Sequence, residues 1–550
     1  MNSIVTYDYD DKVISKLEDW QYGNNWPIVY MFFNNKYAYV GQTLDAIRRT
    51  SEHMEEDKFD RFDKVCFISN KSFNKSVALD LEAFLIKYVH ADGRKLINGN
   101  FGVVNHNYFY KEAYEDDFKE IWQQLKAEGI VKNSLIDISN SELYKYSPYK
   151  SLNREQLNTT YDILKGISGI NNSVQKSIIE VIGGAGTGKT ILAVYLVKLL
   201  KDIRDRKEFW KTIDDPEDAD RIMKLMAGLT GINEIGFVVP MVQLRDTMKN
   251  IFDSVEGLSK DMIYAPEEVY KKHFDLLVVD EAHRLYKRKN LPGSHLYSKF
   301  DKINRLMMAE KFTKTDSDYT ELDWVIQSSR IQILFYDDKQ AIRTPDIGKT
   351  RFEQICRPRL FKYYELTSQM RCKGGNGYYE YIKDVLFNEH ISIKDYKNIE
   401  NYKLKLVDSI ADLQKIVSEK NAEVGLSKML TGPGWSREEE IVIDNCSFHW
   451  VSDNNDDDKS IYSIHKIQGF DLNYAGVIFG REIYYDADNK RIKINKKELK
   501  DNHTKSSGDS EMKEYILNIY LTLMTRGILG TYVYVVDDDL REYLRTFIDQ

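Results

Sequence analysis

Apolar residues along this 550-residue chain follow two rhythms. Short runs dense in β-branched and aromatic residues predict strands, and longer stretches with apolar positions three and four apart predict helices. Near the start, Ile28–Phe33 and Tyr37–Gly41 read as two strands with Asn34-Asn35 as the turn between them. Leu44–His53 then reads as a helix and Lys64–Ser69 as a third strand. Ser76–Val89 reads as a helix carrying Val77, Leu81, Phe84, Leu85 and Tyr88 on one side. From Phe109 to about Ser147 the pattern turns helical and charged, notably over Tyr110–Glu128, which predicts a connecting segment. Thereafter strand-like runs alternate with helical ones: Ile178–Ile182, Phe237–Val239, Leu276–Asp280, Ile331–Tyr336, Gly476–Phe479 and Thr531–Asp537. Strand then helix, repeated, predicts parallel sheets. Arg204–Arg221, Tyr286–Asp318 and Arg481–Asp509 are charged and weakly periodic, and read as insertions or loops.

The chain is too long for one core. The pattern divides it into a small α/β unit at 1–108, a helical linker at 109–150, and two parallel-sheet lobes at 151–350 and 351–550. Composition adds little: 42% hydrophobic and 30% charged residues describe an ordinary globular protein. The net charge of −8 matters more, because any surface for phosphates must then be a local groove on an acidic body. The 37 tyrosines could be base-stacking surface, but a coding bias that also enriches Asn, Lys and Ile explains them more cheaply. Cys66, Cys356, Cys372 and Cys446 form no CxxC pair, which excludes zinc-ligand spacing and suits a reducing cytoplasm. No signal peptide is read at the N-terminus, and no apolar run reaches membrane-span length.

The most specific chemistry lies in IIEVIGGAGTGKTILAVYLVKLL, a buried strand, a glycine-rich turn and a helix. Gly183, Gly184, Ala185, Gly186, Thr187, Gly188, Lys189 and Thr190 form a full phosphate-binding loop. Its glycines let backbone N–H groups close around phosphates; Lys189 would meet the β and γ phosphates of ATP, and the Thr190 hydroxyl would hold Mg2+. In FDLLVVDEAHRL an apolar strand delivers Asp280 to the same metal, with Glu281 beside it to orient or deprotonate the attacking water.

The later segments resemble superfamily 1 helicases, in that family's order. LNREQ would place Gln156 at the adenine, and FVVPMVQLRDTM resembles a motif that touches the nucleic-acid backbone. ILFYDDKQ resembles the GDxxQ sensor with Asp337 and Gln340, although Tyr336 stands where the family has glycine. LTSQMRC offers Arg371 to the γ-phosphate, SIHKIQGFD offers Gln468, Gly469 and Asp471, and YLTLMTRG offers Arg526 as an arginine finger. The wording is most similar to the bacterial helicase-like domains of the Schlafen-related group. The resemblance implies two RecA-like lobes over about residues 150–537, closing on ATP.

The N-terminal unit resembles the GIY-YIG endonucleases over roughly residues 26–105. Val29-Tyr30 and Tyr39-Val40-Gly41 carry the two halves of the motif, with Ile28-Val29 for its Gly-Ile. Arg49 and His53 follow Gly41 one helical turn apart, Glu82 lies mid-helix, and Asn98 follows in KLINGN. The resemblance implies Tyr30 as general base or relay and Arg49 on the scissile phosphate. Glu82 would hold one divalent metal (Mg2+, with Mn2+ able to substitute), Tyr39 and His53 would support water or phosphate, and Asn98 would position. Whether Tyr30 or His53 takes the proton is left open by the sequence.

Together these readings point to an ATP-dependent DNA nuclease-helicase in bacterial antiphage defence, with DNA repair second. The rivals are a nucleotide-switched binding or repair module without processive unwinding, and an enzyme directed to RNA. No membrane partner is expected.

Overall fold

The structure, a computed structural model, describes residues 2–98, 108–109, 111–149, 152–170, 176–184, 186–205, 216–289, 291, 293–307, 319–337, 346–369, 372–387, 402–436, 439–452, 456–467, 471–500 and 508–548. It is α/β throughout and builds three separate sheets and one small ribbon.

The first sheet contains β1 (Ser3–Asp8), β2 (Asn24–Phe33), β3 (Tyr37–Asp45), β4 (Lys64–Ser69) and β5 (Lys95–Leu96), ordered β1-β4-β2-β3-β5. The β2–β3 hairpin closes because the Asn34 side chain accepts from the backbone N–H groups of Lys36 and Tyr37, an Asx turn that replaces the ladder at its end. Alternation along β2 then sends Val29, Met31 and Phe33 to one core and Ile28, Tyr30 and Phe32 to another. The first core is closed by the Lys75–Ala91 helix, which starts at Asn74, whose side chain accepts from Val77 N–H. The sequence reading had no strand at β1, where Ser3–Tyr7 are only partly buried and Asp8 is exposed.

The helical linker read at 109–150 is packed on both sides over its described helices. Its main helix, Lys111–Ala127, sends Phe118, Ile121, Trp122 and Leu125 into one core shared with Leu81 and Leu85 of the N-terminal unit and Leu196 and Val197 beyond it. The shorter helices reach further: Thr247 Oγ1 donates to Glu142 Oε2 at 2.8 Å, and Asn140 Nδ2 to the Val424 carbonyl at 2.8 Å.

The second sheet is parallel: β6 (Ser177–Gly183), β7 (Ile235–Val238), β8 (Ile263–Tyr264), β9 (Phe274–Val279), β10 (Ser329–Tyr336) and β11 (Leu360–Leu366), ordered β11-β6-β10-β9-β7-β8. A lobe boundary at 350 is therefore corrected, because β11 pairs with β6 and belongs to the first lobe. The strand was missed because Leu360–Tyr363 is exposed and lacks the apolar run of a buried parallel strand.

The third sheet contains β12 (Lys403–Leu406), β13 (Ser427–Thr431), β14 (Ile441–Ile443), β15 (Cys446–Trp450), β16 (Ser460–Ser463) and β17 (Leu472–Phe479). A ribbon of β18 (Ile483–Asp486) and β19 (Arg491–Ile494) precedes its last strand, β20 (Gly527–Val535), and the order is β12-β20-β17-β13-β16-β15-β14. All its pairings are parallel except β14–β15. All three presumed loops thus hold elements: the ribbon, anchored by buried Ile483 and Ile492, the Ser294–Met307 helix, anchored by Phe300 and Ile303, and the start of the Pro216–Leu229 helix. No helix among the described residues is long and apolar enough to cross a membrane.

Candidate functional site

Strand β6 ends at Gly183 and the Lys189–Asp205 helix begins six residues later. Gly186 and Gly188 in the turn have φ of 82° and 80°, backbone that a side chain would strain. The Lys189 ammonium folds into the loop, donating to the carbonyls of Gly183 at 2.7 Å and Gly184 at 2.8 Å, and lies 3.2 Å from Asp337 Oδ2. Gln156 is fixed at the loop's flank. Its Nε2 donates to the Thr187 carbonyl at 3.1 Å, while it exchanges capping bonds with Asn153 at the start of the Arg154–Ile170 helix. Ala185 lies outside the described residues.

Asp280 follows the C-terminal end of β9, on the side of a parallel sheet where ligands bind. Thr190 Oγ1 donates to its Oδ2 at 2.8 Å. Burial, reinforced by neighbouring Glu281, pushes the Asp280 carboxyl up to about 7, against the pull of Thr190 and Lys189. The buried Asp280 carboxylate and the Thr190 hydroxyl are oxygen ligands that fit a hard divalent cation, and the neighbouring Lys189 ammonium fits the phosphate bound with it. Glu281 adopts a left-handed backbone, φ 50° and ψ 45°, and its Oε2 lies 3.1 Å from His283 Nε2. Burial, then Arg284 and Lys189, hold His283 well below its ordinary pKa, so the ring is neutral.

Tyr336, in place of a glycine, stacks on Phe352 with ring centroids 4.0 Å apart, which gives the larger side chain a seat. Arg526 sits between the Asp509–Met524 helix and β20 and is 1% exposed. Asp471 lies just before β17, and its carbonyl accepts from Lys145 Nζ at 3.2 Å. Gln340, Arg371, Gln468 and Gly469 lie outside the described residues.

In the N-terminal unit, Tyr30, Tyr39, Arg49 and His53 do come together. Tyr30 stands opposite Gly41 in the β2–β3 ladder, and a Cβ at Gly41 would lie 2.4 Å from the Tyr30 hydroxyl. Glycine is needed there because the ring crosses the neighbouring strand. The Ala46–Met54 helix, capped by Asp45, aims Arg49 and His53 at that ring. Arg49 Nε donates to Tyr30 Oη at 3.3 Å, and His53 Nε2 lies 3.0 Å from the same oxygen. His53 Nδ1 is 3.2 Å from Glu56 Oε1, and Arg49 Nη1 is 2.8 Å from Glu52 Oε2.

The imidazole lies among the rings of Tyr30, Phe32, Tyr39 and Phe59. Burial, then Arg49, lowers it to about 4. The ring is therefore neutral, and ionised Glu56 can only accept, so Nδ1 carries the proton and Nε2 accepts from Tyr30. Burial raises Tyr39 to about 12 and Tyr30 well above 10, with Arg49 pulling both down and buried Glu82 among the groups pushing both up. Asn98 clamps Val40 between Tyr39 and Gly41: its Oδ1 accepts from Val40 N–H at 3.0 Å, and its Nδ2 donates to Val40 O at 2.6 Å. The sequence reading missed Glu52, Glu56 and His283. The two glutamates stand three residues after Arg49 and His53, a helical spacing that could have found them.

Residues 176–537 match the family described as Schlafen group 3, DNA/RNA helicase domain, and the chain belongs to that family. The uncharacterized protein YPL245W of Saccharomyces cerevisiae is 27% identical over 418 residues, covering 67% of this chain and 84% of its own. The chain is also similar to a Pif1 helicase from Bacteroides crystallised with ADP-AlF3 and single-stranded DNA, at 13% identity and a TM-score of 0.26, covering 68% of this chain and 92% of that one. A Pif1 helicase from Candida albicans matches at 11% identity and a TM-score of 0.26, covering 72% and 99%.

Proposed function

We propose that this member of a DNA/RNA helicase family is an ATP-driven motor that also cuts DNA with its N-terminal unit. The observation that carries the proposal is the Tyr30 hydroxyl, placed between a neutral His53 that accepts its proton and Arg49 that donates to its oxygen. His53, backed by Glu56, accepts the Tyr30 hydrogen bond and so turns the Tyr30 oxygen toward an attacking water, whose proton Tyr30 relays as the bond to phosphorus forms. Arg49 offsets the charge that builds on the scissile phosphate. Glu82 would hold one divalent cation, Mg2+ or Mn2+, which supplies Lewis acidity to the phosphate and leaving oxygen.

In the motor, Lys189 turns from the loop carbonyls to the phosphates of ATP, and Gln156 faces the adenine. Thr190 and Asp280 would hold Mg2+, which neutralises charge between the β and γ phosphates. Glu281 orients the water, and Arg526 completes the site from the lobe built on the third sheet, with Arg371, Gln340 and Gly469 as further nucleotide contacts. Joining a cutter to a motor suits genome protection: defence against phage or foreign DNA first, repair second.

The test incubates the protein with plasmid, linear and branched DNA, and with RNA, in Mg2+ or Mn2+, with and without ATP. Glu82→Ala and Arg49→Ala should each reduce cleavage at least about 100-fold while DNA-stimulated ATP hydrolysis continues. The double variant should be scarcely worse than either single one. Cleavage that survives both substitutions overturns the nuclease assignment, and stimulated ATPase without any cleavage would mark a binding module instead.

A further inference from the structure

The outer strand of the first lobe exposes what a buried-core account leaves unexplained. Residues 357–363, Arg-Pro-Arg-Leu-Phe-Lys-Tyr, are all exposed, with Phe361 at 46% and Tyr363 at 61%. β11 is the last strand of its sheet, so one edge of its ladder is open among the described residues. An apolar edge strand invites pairing with another chain, and proteins guard such edges with bulges, prolines and cations. All three guards are present. Leu360 pairs with Ile178 and Lys362 with Ile179, so Phe361 is a bulge, while Pro358 precedes the strand and Arg357, Arg359 and Lys362 charge it. The edge is therefore built against a second protein strand, yet its rings remain in water.

Its chemistry fits a polyanion with flat bases. Three cations and no acid occupy the seven residues. Lys176 adds a fourth charge: its ammonium, fixed on the Ile326 and Gln327 carbonyls, is lowered by burial and then by nearby Arg359. The strand is also held rigid from behind. Tyr364 Oη donates to the Asp162 carbonyl at 2.9 Å, and a Cβ on Gly166 would lie 3.3 Å from Phe361 Cε1, so that ring is seated against the Arg154–Ile170 helix. The strand enters the sheet at Leu360, opposite Ile178, at the end of β6 away from the phosphate loop; the five residues from there to Gly183 span roughly 16 Å.

We propose that Arg357–Tyr363 is a separate contact for single-stranded nucleic acid, with bases stacking on Tyr363 and phosphates meeting Arg357, Arg359 and Lys362. It rests on the helicase reading only for the identity of the polymer. Stacking on one exposed ring beside cations binds strands with little regard to sequence.

The test measures fluorescence anisotropy of labelled oligothymidylate and oligouridylate with the full chain over a salt series. Tyr363→Ala should weaken binding about 5- to 100-fold. Arg357→Ala with Lys362→Ala should flatten the log K against log salt slope by about 1.4. Basal ATP hydrolysis and thermal unfolding should match the parent, which separates lost contact from lost fold. Parent-like affinity and slope in both variants overturn the proposal and leave the helicase reading standing. A parent protein that binds ATP but no single strand overturns both. If Tyr363→Ala instead dissolves a dimer in sedimentation while oligonucleotide binding is unchanged, the edge is a contact between copies and the proposal fails.

Discussion

The two candidate sites are built from different materials. The loop after β6 is made of backbone: two glycines at positive φ, two carbonyls engaged by Lys189, and a strand end that delivers Asp280. The N-terminal site is made of side chains, with a tyrosine, an arginine and a histidine from a hairpin and one helix meeting at a single oxygen. In the loop, glycine is required for the path of the chain itself. In the hairpin, Gly41 is required only for the space that Tyr30 fills. A backbone site therefore fails through its ligand-facing charge, whereas a side-chain site fails through any change that moves one ring.

Lys189→Ala gives the largest expected effect. Removing the one ammonium inside the loop should lower ATP hydrolysis by more than about 100-fold, since a charged donor to developing phosphate charge is lost. DNA cleavage without ATP should be unchanged, because the N-terminal cluster draws no group from the loop. Assays of both activities on one preparation check this. An equal fall in cleavage would mean that the core shared through Trp122 and Leu125 couples the sites, and the contrast would break.

What the sequence revealed follows the same division. The phosphate loop was legible because its glycines, lysine and threonine are adjacent in the chain, and backbone geometry dictates their spacing. Arg49 and His53 were legible as a pair because i and i+4 share a helix face. The direction of the proton was not. It depends on Glu56 and on four aromatic rings brought in from three elements, so only their meeting shows that His53 is neutral and accepting. β11 was hidden for a related reason: an exposed edge strand shows no core-facing period. The packed role of 111–146 was hidden because helical periodicity names a buried face without naming its partner.

Gly41→Ala should give an intermediate effect. The added methyl would stand against the Tyr30 hydroxyl, and the ring must swing away from His53 and Arg49. Overpacking of this kind costs about 1–3 kcal/mol, read as a lower unfolding midpoint in denaturant. Cleavage should fall by up to about 100-fold, the scale of a catalytic group misplaced by about 1 Å, and ATP hydrolysis should hold. Parent-like cleavage would show that Tyr30 has room the hairpin does not reveal.

The smallest effect concerns acid. His53 is held at about 4 in the folded chain, against about 6.5 when exposed in the unfolded one. Between those values the unfolded state binds a proton that the folded state refuses, so stability rises with pH across the window and falls as pH drops from about 6.5 toward 4. Above about 7 this contribution is level. His90 and His283 are lowered in the same direction by their own burial, so the whole chain should share the trend. His53→Gln, which keeps a polar contact and removes the titration, should lessen the slope by about one proton's share, roughly 1.4 kcal/mol per pH unit, without abolishing it. Denaturant unfolding at half-unit steps from pH 7.5 to 4.5 measures this. The catalytic counterpart is a cleavage rate with no histidine inflection near 6.5, declining only as pH approaches 4. An inflection near 6.5 would mean that His53 is solvated in the working enzyme, and the side-chain site would then be more open than the packed rings around it allow.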